Sequence, residues 1–125
     1  MKDSLTDLFN VRYLYIKFQE EIAHSHRYHY PVALAMIDLN NFKQINDQQG
    51  HLEGDRVLMK FAELSKKNTR DQLDYVFRVG GDEFLLLLTH CEEEMAHVIL
   101  ERLAEEYQKV NSLSTMAYGI SSFIG

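Results

Sequence analysis

Apolar positions along this chain fall into two rhythms, one of helical spacing and one of strand length. Val11, Leu14, Phe18 and Ile22 recur at helical intervals, with Asp3 or Ser4 as the expected cap ahead of them. That helix runs into the polar stretch His24–Tyr30, and Pro31 releases the chain into an extended segment. Val32 to Ile37 is a continuous apolar run bounded by Pro31 and Asp38, the pattern of a strand buried on both faces. Asn40 to Asp47 is polar, with Phe42 and Ile45 as apolar anchors, and Gly50–Gly54 reads as a loop between two glycines. A second helix is expected from Asp55, with Val57, Phe61 and Leu64 on one face and Lys66, Lys67 and Asn68 at its end.

Tyr75–Val79 and Phe84–Leu88 have the β-branched, aromatic and aliphatic content of strands, and Gly80-Gly81 between them suggests a two-residue hairpin turn with positive φ. The acidic run Glu92–Glu94 suits the start of a third helix, along which Met95, Ile99, Leu103 and Tyr107 form a core stripe. Ser114–Phe123 is the last strand. The order is βαββαβ behind an extra N-terminal helix, which is the split βαβ arrangement of one sheet with helices packed on it.

Composition narrows the class without naming a function. At 125 residues, 46% hydrophobic and 26% charged, the chain is expected to be one soluble domain, residues 1–125, with a core that needs no staples. Cys91 is the single cysteine, which excludes an internal disulfide and fits a reducing, cytoplasmic setting. No apolar run is long enough to span a bilayer, so no membrane contact is expected. A net charge of −6 argues against a nucleic acid polymer as partner, since phosphate backbones are held by many cations.

The chemistry lies in carboxylates at the ends of strands. In the split βαβ order the first strand lies beside the hairpin, so Asp38 approaches the Gly80-Gly81-Asp82 turn, with Glu83 next in line. Hard oxygen donors in small number suit Mg²⁺, which keeps waters and takes further oxygens from substrate phosphates. Backbone N–H groups after Asp38, with Lys43, suit a phosphate. Taken singly, each residue has an ordinary use: Asp38 caps a turn, Asp55 caps a helix, Asn46 suits a turn, and a Gly-Gly-Asp hairpin is usually only a hairpin. His24, His26 and His29 fall within six residues, and they read as a solvated helix end rather than a metal site.

Four motifs occur in order: Asp3-Ser4-Leu5-Thr6-Asp7-Leu8 with Asn10; Asp38-Leu39-Asn40-Asn41-Phe42-Lys43 with Ile45-Asn46-Asp47; Gly50-His51 with Gly54-Asp55; and Arg78-Val79-Gly80-Gly81-Asp82-Glu83-Phe84. Together they resemble the GGDEF domain of diguanylate cyclases over nearly the whole chain. The resemblance implies a palm-like, nucleotidyl-cyclase-like α/β (α+β) fold and condensation of two GTP molecules into cyclic dimeric GMP. It implies Mg²⁺ or Mn²⁺ held by Asp38, Asp82 and the Leu39 carbonyl, with Asp82 as base toward the 3′-hydroxyl and Glu83 as a supporting catalytic carboxylate. Asn46 and Asp55 would read guanine, Lys43 and the backbone near Phe42 would contact phosphate, and Gly80 and Gly81 would let the nucleotide approach the main chain. The implied partners are GTP, a second GGDEF domain in an antiparallel homodimer, and an upstream sensory domain outside this chain.

Departures from the family pattern qualify the expectation. Asn40 stands where a second acidic residue is usual, and Val11 where an arginine is usual after Asn10. The product-inhibition motif, an Arg-x-x-Asp ending at Asp74, has Asp71 at the arginine position and Arg70 one place off. The family also continues past the position of Gly125 with a helix and a strand carrying phosphate-contacting cations, so a C-terminally truncated fold is expected. Two other readings remain open: a GGDEF-type module that binds GTP or a partner domain without turnover, and an unrelated split βαβ protein with a chance hairpin.

Overall fold

In the computed structural model, which describes residues 1–124, the first helix starts at the first apolar position of its stripe, well after the expected cap at Asp3 or Ser4. Helix α1 spans Val11–Tyr28, and its cap is Asn10, whose Oδ1 accepts from the Tyr13 N–H at 3.0 Å. Asp3 closes a turn of its own instead, accepting from the Thr6 N–H and hydroxyl. The segment after it makes isolated bridges from Phe9 to Lys2 and to Phe77. Leu14 and Phe18 of α1 pack on the sheet with Tyr13, while Val11 and Ile22 lie exposed at the margin. The helix ends through His29 in the left-handed region at φ 57°, two residues before Pro31.

Strand β1 (Val32–Leu39) is followed by a helix that the sequence pattern did not reveal, α2 (Phe42–Gln49). Six of its eight residues are polar, and only Phe42 and Ile45, one turn apart, reach the core. Gly50, at φ 91°, turns the chain directly into α3 (His51–Lys67), so this helix starts four residues before Asp55. Asp55 is therefore not a cap: it lies in the helix, half-buried. Gly54 is not loop punctuation but a buried helical position, where an added Cβ would collide with Asn46 Oδ1 of α2.

Strands β2 (Asp74–Arg78) and β3 (Glu83–Thr89) form the hairpin, α4 spans Glu93–Val110, and β4 spans Met116–Phe123. The hairpin connection has four residues rather than two, with the Val79 and Gly80 N–H groups both donating to the Glu83 carbonyl at 2.8 and 3.2 Å. Among the described residues Gly50 is the glycine with positive φ, so the Gly80-Gly81 turn is not the primed turn expected of a two-residue loop. On α4, Ile99, Leu103 and Tyr107 are buried with Ala96 and Leu100, but Met95 is exposed. Steps of four residues drift around a helix of 3.6 residues per turn, and three such steps carry Met95 off the buried face.

The four strands form an antiparallel sheet in the order β2-β3-β1-β4, the split βαβ topology. Alternate residues of β1 (Ala33, Ala35, Ile37, Leu39) face a core shared with Phe84, Leu86, Phe61 and Leu103, under the helices that follow β1. The opposite face holds Val32, Phe77, Leu85 and Leu87 under α1. Burial on both faces holds for the first half of β1 only, because Met36 and Asp38 are exposed where α1 no longer covers the sheet. Among the described residues no helix is long and apolar enough to cross a membrane.

Candidate active site

Strand pairing brings the separate carboxylate motifs to one end of the sheet. Asp38 is the register partner of Glu83, and the Leu39 N–H donates to the Asp82 carbonyl at 3.2 Å. Residues more than forty positions apart are thus joined through the backbone. Directly paired residues share a face, so Asp38 and Glu83 project together onto the exposed side. Asp82 is half-buried at the rim, one residue before the strand, and its charge reaches Tyr107 on α4. Burial pushes the Tyr107 phenol above its ordinary value, the bond to Ser114 works against that, and the Asp82 charge adds to the rise.

The donor set fits a hard divalent cation shared with a ligand. It offers carboxylates at the end of a strand pair, and no group of three or more His, Cys, Asp or Glu side chains among the described residues is gathered to hold a metal. Magnesium is ordinarily held by one or two carboxylates, with its remaining oxygens from water and phosphate. His24 and His26 lie toward the end of α1, with His26 in its last turn, and His29 is its C-cap.

Arg78 holds the hairpin loop from within, a role that the strand pattern alone did not show. Its guanidinium donates to the carbonyls of Gly80 (3.2 Å) and Gly81 (3.0 Å), and on its other side to Asp3 at 3.1 Å. The N-terminal turn is thereby tied to the loop that presents Asp82. Burial pushes the Asp3 carboxyl up, but the Thr6 hydroxyl and amide and the Arg78 guanidinium outweigh it and hold it below 3.8. The available signal was an arginine two residues before a glycine pair in a loop too short to satisfy its own carbonyls. An added Cβ at Gly80 would lie 2.7 Å from Glu83 Oε1, the far end of an exposed side chain that can swing aside, and the same direction at Gly81 is open space.

The residues expected to recognise a nucleotide are distributed on α2 and α3. Lys43 is exposed in the first turn of α2, and the ring of Phe42 is buried, so only the backbone of Phe42 is available to a ligand. Asn41, in the left-handed region at φ 63°, makes no side-chain cap to α2, which leaves the N–H groups of that turn without it. The Asn46 side chain lies across Gly54, adjacent to Asp55. A groove of about 590 Å³ between the N-terminal turn, α3 and α4, lined by Leu5, Val57, Lys60 and Tyr107, contains none of these candidate residues. The carboxylates stand outside it on open surface.

Arg70, one place from the expected inhibitory position, is committed to the protein. Its backbone N–H, Nε and Nη2 donate to the buried Asp74 carboxylate at 2.8 to 3.0 Å, and Nη2 also donates to the Thr89 carbonyl at 2.6 Å. It joins β2 to the end of β3.

Comparison with known proteins supplies the context for this geometry. The family model described as diguanylate cyclase, GGDEF domain, matches residues 1–124. The diguanylate cyclase DosC of Escherichia coli (strain K12) is 42% identical over 107 residues, covering 86% of this chain and 23% of its own length. The active GGEEF domain of a diguanylate cyclase from Vibrio cholerae superposes with a TM-score of 0.86 at 33% identity, over 93% of this chain and 77% of that one. The diguanylate cyclase SiaD of Pseudomonas aeruginosa, crystallised with its activator SiaC, superposes with a TM-score of 0.88 at 36% identity, over 98% of this chain and 49% of that one. The chain thus spans less than a quarter of the Escherichia coli relative.

Proposed function

This chain belongs to the diguanylate cyclase GGDEF domain family, and from that premise we propose that it condenses two GTP molecules into cyclic dimeric GMP and two pyrophosphates. The observation that carries the reading is the joining of β1 to the hairpin, Asp38 to Glu83 by register and Leu39 to Asp82 by hydrogen bond. It gathers acidic groups and main-chain donors where a triphosphate and its ion can be held.

Asp38, Asp82 and the Leu39 carbonyl are the proposed ligands of Mg²⁺ or Mn²⁺, which when bound neutralises phosphate charge and activates the attacking oxygen. Asp82 accepts the proton of the 3′-hydroxyl as the new bond to the α-phosphorus forms and the bond to pyrophosphate breaks. Glu83, which shares a face with its register partner Asp38, is the proposed supporting carboxylate. Lys43 and the first-turn N–H groups of α2 bind phosphate oxygens, and the open side of Gly81 admits the nucleotide. Asn46 and Asp55 pair with the guanine edge, whose N–H groups need acceptors and whose carbonyl needs a donor.

Each 3′-hydroxyl attacks the other nucleotide, so two domains meet face to face as an antiparallel homodimer, under the control of a sensory domain outside this chain. The exposed position of Asp38 and Glu83 on an uncovered sheet end supports an approach of that kind.

Incubation with GTP and Mg²⁺ followed by chromatography should yield cyclic dimeric GMP. Uptake of GTP with no product would select the regulatory reading instead. Asp55→Ala should weaken GTP binding by about tenfold or more while leaving the weak binding of ATP little changed, since a site built to hydrogen-bond one base discriminates through that bond. Equal losses for both nucleotides in a titration would remove Asp55 from base recognition.

A further inference from the structure

Tyr107 is fully enclosed, yet it is not used as a simple apolar filler. Its phenol O–H donates to Ser114 Oγ at 2.7 Å, and Ser114 Oγ donates in turn to the main-chain carbonyl of Asn40 at 2.7 Å. Ser114 is itself only 1% exposed. Phenylalanine would fill the same space, so the hydroxyl needs a reason beyond packing, and a buried hydroxyl is kept only where it is satisfied.

The relay ends on a particular turn. Asn40 and Asn41 connect Leu39 to Phe42 and Lys43, and Asn41 holds a left-handed φ of 63°, a region asparagine enters more readily than other non-glycine residues, in surroundings that hold the turn by hydrogen bonds. The surroundings here are residues 111–115, between α4 and β4. Besides the Ser114 contact, the Asn40 N–H donates to the Thr115 carbonyl at 2.8 Å and Asn40 Nδ2 to Thr115 Oγ1 at 2.9 Å. The turn is thus set from behind by the connection between α4 and β4, Thr115 holding Asn40 directly and Tyr107 of α4 reaching it through Ser114.

We infer that Tyr107, acting through Ser114, is a positioning residue for the triphosphate: it fixes the Asn40–Asn41 turn so that Lys43 and the first-turn N–H groups of α2 point at the phosphate oxygens. The inference rests on the GTP reading of this site. Tyr107 touches no substrate and acts only through the turn.

The test uses the 125-residue chain with Tyr107→Phe, which keeps the ring and removes only the donor, and Ser114→Ala. Leu103→Ala, on the same helix but outside the relay, controls for general destabilisation. GTP affinity in the presence of MgCl₂ is measured by calorimetric titration, and amide hydrogen exchange is followed at residues 40–43 of the nucleotide-free protein. Both relay variants should bind GTP about tenfold more weakly, the size of one lost hydrogen bond, and exchange faster at 40–43 than in α4. Leu103→Ala should lower the melting temperature but leave both readouts at the wild-type level while folded. Should Ser114→Ala fail to fold, Tyr107→Phe decides alone. Wild-type affinity and exchange in Tyr107→Phe, or an equal loss in Leu103→Ala, overturns the inference. A wild-type protein that takes up no GTP overturns the proposed function and this inference together.

Discussion

Asp82→Ala should lose cyclic dimeric GMP synthesis by about two to four orders of magnitude, the range that a positioned proton acceptor contributes. The fold should survive, because Asp82 lies outside the strands and its structural tie to β1 runs through its main-chain carbonyl, which alanine retains. The melting temperature of the variant should therefore match that of the wild type. Its half-buried position one residue before β3 puts it at the rim rather than in the core. The informative comparison is with Glu83→Ala and Asp38→Ala. Asp38 is the cross-strand partner of Glu83, so these two alanine variants should resemble each other if the pair acts as a unit on the exposed face. Product formed at equal rates by wild type and Asp82→Ala, with Glu83→Ala inactive, would transfer the proposed proton acceptor to Glu83.

Phe84→Ala should cost about 3–5 kcal/mol of folding free energy, a large share of the total for a domain of this size. The ring is fully buried, is the register partner of Ile37, and lies 4.6 Å from Phe61, whose ring stands 5.5 Å from Tyr107. Removing it empties the centre of the larger core, directly behind the two carboxylates. Phe84→Leu keeps most of the volume and should cost under about 1.5 kcal/mol. Urea denaturation of the three proteins checks the order, and equal midpoints for the two variants would show that cavity formation is not what the ring prevents. The last letter of the motif is therefore a structural residue, anchoring β3 at the point where Asp82 and Glu83 emerge.

The sheet was legible because its signals are local and strong. Val32–Ile37 and the two halves of the hairpin are long apolar runs with turn residues between them, and their order leaves few topologies. Convergence of Asp38 with the hairpin followed from that topology. What stayed hidden depends on contacts between distant segments. Helix α2 is eight residues with two apolar positions, too little periodicity to separate from a loop, and Gly54 looked like loop punctuation because the Asn46 side chain that requires it comes from another helix. The cap of α1 was misplaced because Asp3 has the chemistry of a cap but spends it on the Thr6 turn and on Arg78, 75 residues away. The Gly80-Gly81 turn is legible in the sequence but its backbone geometry is not, because the connection runs over four residues closed on the Glu83 carbonyl and neither glycine takes positive φ.

Gly50 gives the junction of α2 and α3 a further meaning. The two residues proposed to judge the base, Asn46 and Asp55, ride on different helices whose relative angle is set by one residue at φ 91° and by the contact of Asn46 with Gly54. Together they work like the jaws of a caliper, its opening fixed before any nucleotide arrives. The discriminating gap between purines is then a property of the hinge as much as of the jaws, and a side chain added at either glycine would miscalibrate the instrument without touching what it measures.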